Sequence, residues 1–509
     1  MLRLPDRYLS RLASFPFFKE LEDMSWTIKG LGRPFDLIIP QGSASLIIGE
    51  CGTGKTTLGI QFLVDGAKND ERGLLILGEQ SERDSLRFFK HLNLETYIKE
   101  NKIVILDASK SKLAVTEAIP SESIVKSLRA EFNSTLVRVF EEIEKKGVKR
   151  LVIDSLQSFL ILTTGDPNIL TPRTFSPIRG HIFKIMELCR LYGVTSLFIS
   201  EGLNIGRAPL GFEEYIADSV LVLSKRRLNN RKIREITFDK IRGVRISQDT
   251  FLATMEGGRF RAFPPHRKRL PPILLQPEPV PDPSKDYIST GIDDLDLILD
   301  GGFEKGSWNL IEVAHGVGTI FEITLPLLTN HLNLGRGVIM VVPEGLSVES
   351  LRRVEEHFVG KKRFEKQCTF FERAPPENIQ HVEALVDNGE NAFQMIRSAR
   401  EKLCQNYGTP VLTFLGLGTL EHTYDFDLLV TEIGKTVADS RTMGDVMVAL
   451  TKEGQRCTAT VSYMATTHWK LETINKALTM HGIIPQTEYY AVEMDISKGY
   501  VRPQLIPVV

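Results

Sequence analysis

The sequence predicts an α/β protein of two tandem domains, each a mainly parallel sheet flanked by helices. Three observations carry that expectation. Short apolar runs alternate with stretches of helical period, a proline-rich stretch divides the chain, and the text of the first half returns in the second at an offset of 264 positions. A length of 509 residues exceeds what one hydrophobic core usually supports, so two cores are expected on size alone.

In chain order, residues 1–24 form an N-terminal segment that is charged throughout and lacks the apolar block of a secretory signal. The first domain spans 25–262. Its runs "SLIIG", "GLLILG", "KIVIL", "RLVIDS" and "SLFIS" read as buried strands between helical segments such as "TLVRVFEEIEKK" and "HIFKIMELCRLYG". That alternation implies parallel strands covered on both faces. Residues 263–284, "FPPHRKRLPPILLQPEPVPDPS", hold eight of the 25 prolines. Such a density excludes helix and central strand and implies a stiff linker. The second domain, 285–509, then repeats the first: "GSASLIIGECGTGKT" meets "GSWNLIEVAHGVGTI", and "RGLLILGEQ" meets "RGVIMVVPE".

Composition narrows the class. With 42% hydrophobic and 25% charged residues the chain reads as an ordinary globular protein, and no apolar run approaches the roughly 18 residues of a membrane span. A cytoplasmic address and no membrane partner are expected. The net charge of −1 gives no global attraction to nucleic acid, so any such binding needs a local patch. Five scattered cysteines suggest neither a zinc site nor a disulfide framework. Only Cys51, inside a glycine-rich loop, has an obvious route to redox sensitivity.

That loop carries the chemistry. "GECGTGKT", residues 49–56, follows a strand and opens a helix, the context of a phosphate loop. Its glycines let backbone N–H groups and the helix N-terminus face anionic oxygens, so Gly49, Glu50, Cys51, Gly52, Thr53, Gly54, Lys55, Thr56 and Thr57 form the expected ATP-binding stretch. Lys55 reaches the β- and γ-phosphates and Thr56 places its hydroxyl on Mg2+; the alternative is a glycine-rich turn with a surface lysine. Asp154, ending the strand "RLVID", is the second expected Mg2+ anchor, or else a helix cap. Glu79, at the end of "LLILGE", either orients an attacking water or is an acid favoured by a helix dipole. Lys240 and Arg242 in "ITFDKIRGVR" stand two apart on a strand and so share a face. They read either as cations for phosphoryl transfer in a neighbouring subunit or as the charged guard of an edge strand. The turn-like "RRLNNRK" before them predicts a hairpin.

The phosphate loop, "QFL", "GEQ", "VIDS" and especially "EEYIADSVLVL" followed by "ITFDKIRG" resemble the KaiC branch of the RecA-like P-loop ATPases, closely over about 30–260 and more weakly over 285–509. The resemblance implies two tandem RecA-like domains, a hexameric ring with ATP between subunits, and Lys240 and Arg242 as contacts to the adjacent subunit's nucleotide. It keeps Glu79, but Gln80 stands where the family carries a second glutamate, which implies slow hydrolysis. The second half departs further. Thr319 and Ile320 replace the loop lysine and threonine, Leu415 replaces the metal-side acid, Pro343-Glu344 replaces the paired glutamates, and Ile496, before Lys498 and Gly499, replaces the strand lysine. Losing two charge-assisted contacts of about 1.5–3 kcal/mol each implies roughly a hundredfold or greater loss of nucleotide affinity. The second domain is therefore expected to be an inactive scaffold or docking surface, and a circadian role is not implied.

The functional expectation is a homo-oligomeric ATPase or ATP-driven switch in regulation, archaeal in style, with a protein partner that the sequence does not identify. A non-hydrolysing ATP-dependent regulator, like the gas-vesicle GvpD type or the archaellum ATPase, is the alternative. A DNA-acting recombinase or helicase is a third class. Residues 225–245 hold nine Lys or Arg in its favour, but a basic hairpin at a subunit interface accounts for them better.

Overall fold

The computed structural model describes residues 25–28, 38–78, 82–107, 134–164, 175–201, 216–268, 270–318, 321–373, 381–385 and 388–509. The N-terminal segment 1–24 and the expected functional or degenerate positions Glu79, Gln80, Thr319 and Ile320 lie outside them. The chain divides into two units, Met1–Pro264 with Val509, and Pro265–Val508.

In the first unit a ribbon of β1 (Ser25–Thr27) and β2 (Ile38–Pro40) precedes the main sheet. Its strands are β3 (Ala44–Gly49), β4 (Gly73–Leu77), β5 (Ile103–Asp107), β6 (Arg150–Asp154), β7 (Thr195–Glu201), β8 (Ser219–Leu228), β9 (Arg231–Ile241), β10 (Thr250–Thr254) and β11 (Arg261–Ala262), in the order β11-β10-β9-β8-β3-β7-β6-β4-β5. From β8 to β5 the neighbours run parallel; from β8 to β11 they run antiparallel. Every residue of β3 and β4 is buried, so their apolar runs serve two layers. Leu46 and Ile48 join one core, with Val139 of α2 (Ser134–Lys146), Phe159 of α3 (Leu156–Thr164) and Met186 of α4 (Phe175–Leu191). Ile47 joins the other, with Leu58, Phe62 and Leu63 of α1 (Lys55–Lys68). Period-two alternation makes that division. Each fully buried side chain of this size contributes about 1.5–3 kcal/mol.

The second unit repeats the plan. After a ribbon of β12 (Tyr287–Ile288) and β13 (Phe303–Glu304) come β14 (Trp308–Val313), β15 (Val338–Val341), β16 (Cys368–Glu372), β17 (Val382–Ala384), β18 (Leu412–Gly416), β19 (Val446–Lys452), β20 (Thr467–Ile474), β21 (Ala477–Ile484), β22 (Tyr489–Asp495) and β23 (Arg502–Pro507). Their order, β17-β16-β15-β18-β19-β14-β20-β21-β22-β23, matches the first sheet strand for strand from β16 to β23, with β17 beyond the strands described in the first unit. The two units are tandem RecA-like α/β domains. Part of the proline-rich stretch is tied to the second unit: Leu275 N donates to Gly499 O (2.7 Å), Val280 N to Asn330 Oδ1 (2.7 Å), and Arg336 pairs with Asp282 (2.5 Å).

Register makes the duplication testable position by position. Leu77 of β4 faces Asp154, and Val341 of β15 faces Leu415, so Leu415 does occupy the place of Asp154. Both long hairpins also shift register at equivalent points, between Val220 and Leu221 and between His468 and Trp469. Val220 faces Lys240, whereas His468 faces Ile484. The positions equivalent to Lys240 and Arg242 are therefore Ile484 and Gln486, not Ile496 and Lys498, which lie in the turn between β22 and β23. Both hairpins turn in two residues, but the arms of β20–β21 are shorter than those of β8–β9, so the last strand shifts along the sequence and Gly499, one strand later, mimics the motif's glycine.

One buried acid in the second unit predicts a pH effect. Glu355, on the helix Val348–Val359, is 1% exposed and accepts a hydrogen bond from Thr329 Oγ1 (2.9 Å), while its Oε1 has no partner among the described residues. Burial pushes its carboxyl up to about 8. The folded chain holds this proton to higher pH than the unfolded chain, so stability is full below the ordinary glutamate range and falls as pH rises towards 8. Glu355→Gln is expected to raise the denaturant midpoint of this unit at pH 8 and to flatten its decline between pH 5 and 8. An unchanged pH profile in urea titrations of the full chain would contradict the assignment.

Candidate functional site

β3 hands the chain to α1 through a turn that only glycine permits at its key points. A Cβ on Gly49 would stand 2.5 Å from the Leu223 carbonyl oxygen of β8. Gly52 has φ 73, and Gly54, the N-cap of α1, has φ 103, with a hypothetical Cβ 2.8 Å from Met255 Sδ. Both angles lie where side chains are strained.

The turn's carbonyls are held by cations. Buried Lys55 donates from Nζ to Gly49 O (2.6 Å) and Glu50 O (2.9 Å). Lys225 Nζ donates to Cys51 O (2.8 Å), and Arg234 Nη1 to Gly52 O (2.7 Å). Thr53 Oγ1 adds a bond to Glu50 O (2.9 Å). The opening N–H groups of α1 have no intrahelical partner by construction, and its first turn carries no acid. The geometry is that of an anion cradle with its positive helix end open.

Beside it, Thr56 Oγ1 donates to Asp154 Oδ2 at 2.6 Å. Two hard oxygen donors meet where β6 ends next to the loop. This set suits a small divalent cation that keeps waters and phosphate oxygens for its remaining positions. Among the described residues no group of three or more His, Cys, Asp or Glu could hold a metal on its own, so protein ligands here form a partial shell. Thr57, the next residue of α1, is buried. Glu201, missed in the sequence, pairs with Gly49 at the end of β7 and is exposed at the same edge.

Lys240 and Arg242 lie elsewhere. β9 ends at Ile241, so Arg242 is in the following turn, and the register shift falls before Lys240, at Asp239. Both cations instead converge on residues 217–218: Lys240 Nζ donates to Ala217 O (2.8 Å) and Arg242 Nη1 to Asp218 Oδ1 (2.9 Å). Asp218 also takes Arg190 (3.0 Å) and the Ala44 N–H (3.0 Å), an acid hub that no spacing along the chain singles out. Burial, then Arg242, holds the Lys240 ammonium below its ordinary range. Ala44 starts β3 and Gly49 ends it. β3 has six residues, and at about 3.3 Å each its ends stand roughly 16 Å apart. The structure therefore does not bring these cations to the phosphate loop of their own chain.

In the second unit one N–H of the equivalent loop is taken by the protein's own carboxylate. His315 N donates to Glu453 Oε2 (3.2 Å), while Lys470 Nζ bridges Glu453 Oε1 and Glu312 Oε1 (both 3.2 Å). The His315 N–H, with Lys470, holds the Glu453 carboxyl below the usual range. Glu344 is turned to His422 (3.0 Å) and Lys452 (3.7 Å).

Residues 24–258 match the protein family described as "ATPase: KaiC". The first domain belongs to the KaiC family of P-loop ATPases. The chain is 26% identical over 376 residues to the circadian clock oscillator protein KaiC of Prochlorococcus marinus (strain MIT 9313), covering 72% of this chain and 69% of that protein. It is 27% identical over 284 residues to the circadian clock protein KaiC2 of Synechocystis, covering 55% and 45%. It is 25% identical over 332 residues to the protein GvpD2 of Halobacterium salinarum, covering 62% and 65%. The chain thus spans about half to two thirds of these curated relatives. Among the described residues no helix is long and apolar enough to cross a membrane.

The contrast between the two loops predicts a contrast in tolerance. Gly54→Ala is expected to destabilise the first unit by about 1–3 kcal/mol through its positive φ and the Met255 contact. Gly318→Ala, with nothing within 4 Å of its Cβ, is expected to stay within about 0.5 kcal/mol of the parent. Paired denaturation curves check this; equal losses at both sites would contradict it.

Proposed function

We propose that this protein is a homo-oligomeric, KaiC-like ATP-binding protein and slow ATPase that acts as a regulatory switch, with one Mg-ATP per chain in the first domain. The observation that carries the reading is the loop of residues 49–57 with Thr56 and Asp154 in contact at 2.6 Å, set against Leu415 and the Glu453 carboxylate on the His315 N–H of the second unit. Loop N–H groups bind phosphate oxygens, Lys55 leaves its carbonyl partners for the β- and γ-phosphates, and Thr56 and Asp154 hold Mg2+. When bound, the ion would supply positive charge to offset the charge that develops on the phosphates. Glu79 orients water. The second domain is a scaffold or docking surface for the partner protein, and the address is cytoplasmic.

Lys240 and Arg242 act in trans. Their place at the far end of β3, a strand roughly 16 Å long, supports service to a neighbouring subunit, and a closed ring, a hexamer as in the KaiC resemblance, gives every loop such a neighbour. A non-hydrolysing regulator is the second reading, favoured by Gln80 where the family carries a second glutamate. Nucleic acid plays no driving part.

Lys55→Ala is expected to abolish Mg-ATP binding in equilibrium dialysis, and the parent chain to bind one equivalent. Two tight equivalents would contradict the scaffold role. Lys55→Ala chains mixed with Arg242→Ala chains should recover phosphate release at interfaces where a loaded site meets an intact cation pair. Co-assembled mixtures as inactive as either parent, or normal turnover by Arg242→Ala alone, would overturn the trans assignment.

A further inference from the structure

We infer that Lys225 and Arg234 form a cation clamp on the carbonyl side of the phosphate loop and position its N–H groups for an anionic ligand of the same chain; this rests on reading residues 49–57 as the nucleotide site. The two residues face each other across the β8–β9 hairpin. The hairpin turns through Asn229 and Asn230, whose φ angles of 48 and 62 let it close in two residues. Alternation then sorts the charges. Leu223 and Ile236 point into the core that holds α1; two residues outward on the same face come Lys225 and Arg234. Arg226, on the opposite face, is neutralised by Glu235 (2.9 Å).

The contacts made by the clamp are specific. Lys225 meets Cys51 O and Arg234 meets Gly52 O, each by one N–H donor, while Arg234 Nε also bonds Val509 O. In a trans peptide the C=O and the following N–H point in opposite directions. Drawing the Cys51 carbonyl to Lys225 therefore aims the Gly52 N–H away from the hairpin, and drawing the Gly52 carbonyl to Arg234 does the same for Thr53. Thr53 N otherwise has only a long contact to Glu50 O (3.4 Å). Fixing these peptide planes beforehand removes an ordering loss from ligand binding.

The second copy supplies an independent control. Gly49 faces Leu223 and Val313 faces Leu471, so Lys225 corresponds to Thr473; Thr473 in turn faces Leu478, the counterpart of Arg234. Where the loop has lost its phosphate chemistry, the clamp is gone as well. Lys225 and Arg234 are thus positioning residues, and they act in cis, unlike Lys240 and Arg242.

The test uses the full chain with Lys225→Met and Arg234→Met, singly and together, and the charge-keeping Lys225→Arg and Arg234→Lys. Titration calorimetry with Mg-ATP and with magnesium tripolyphosphate reads affinity, and amide exchange of residues 49–57 without ligand reads the loop itself. Each Met variant is expected to weaken both ligands by about five- to tenfold and to speed loop exchange, with both effects reversed by the charge-keeping variants. Unchanged loop exchange in the double Met variant overturns the clamp, whatever happens to affinity. If the parent binds neither ligand, the nucleotide-site reading fails, and the exchange measurement still decides the clamp.

Discussion

Four consecutive carbonyls, from Gly49 to Gly52, each accept a hydrogen bond from a cation, and the site depends on that arrangement. A parallel strand that must become a helix within a few residues leaves the sheet's ladder before it gains the helix's own bonds. Its polar groups need other partners. Here the carbonyls take Lys55, Lys225 and Arg234, which leaves the loop and the start of α1 as a concentration of N–H donors. Glycine at 49, 52 and 54 permits the path, and the position of β8 against β3 delivers the outer cations.

The second unit shows that fold and chemistry were separable. Its sheet repeats the order of the first, because the order follows from two-sided apolar strands and their crossovers, and those survive. Its loop, by contrast, is secured in the opposite electrostatic sense. A carboxylate of Glu453 sits on the His315 N–H, and Lys470 is occupied by Glu312 and Glu453. The first loop has cations on its carbonyls and offers its N–H groups to an anion. The second already has its anion, covalently part of the chain, so ligand phosphate there would have to displace it while lacking the lysine and the metal-side acid.

Lys240 and Arg242 give the same lesson about distance. They sit near each other in sequence, as the resemblance requires, yet Asp218 gathers them at the opposite end of β3 from the phosphate loop. The cations and the loop thus stand at opposite ends of one strand, and self-association is the proposal that would unite them.

The sequence by itself determined the two α/β domains, the duplication and the phosphate-loop stretch, because strand burial and the glycine-lysine-threonine spacing are local properties. It also identified Leu415, since the strand carrying it stayed close to alignment. Tertiary structure alone decided three things. It joined Thr56 to Asp154 across 98 positions, it placed Lys225 and Arg234 on the loop although they read only as a basic run, and it moved the counterparts of Lys240 and Arg242 from Ile496 and Lys498 to Ile484 and Gln486. The physical reason is the same in each case. Which strands lie side by side, and in what register, is set by packing and long-range hydrogen bonding, and that pairing carries no signature in the spacing of residues along one chain.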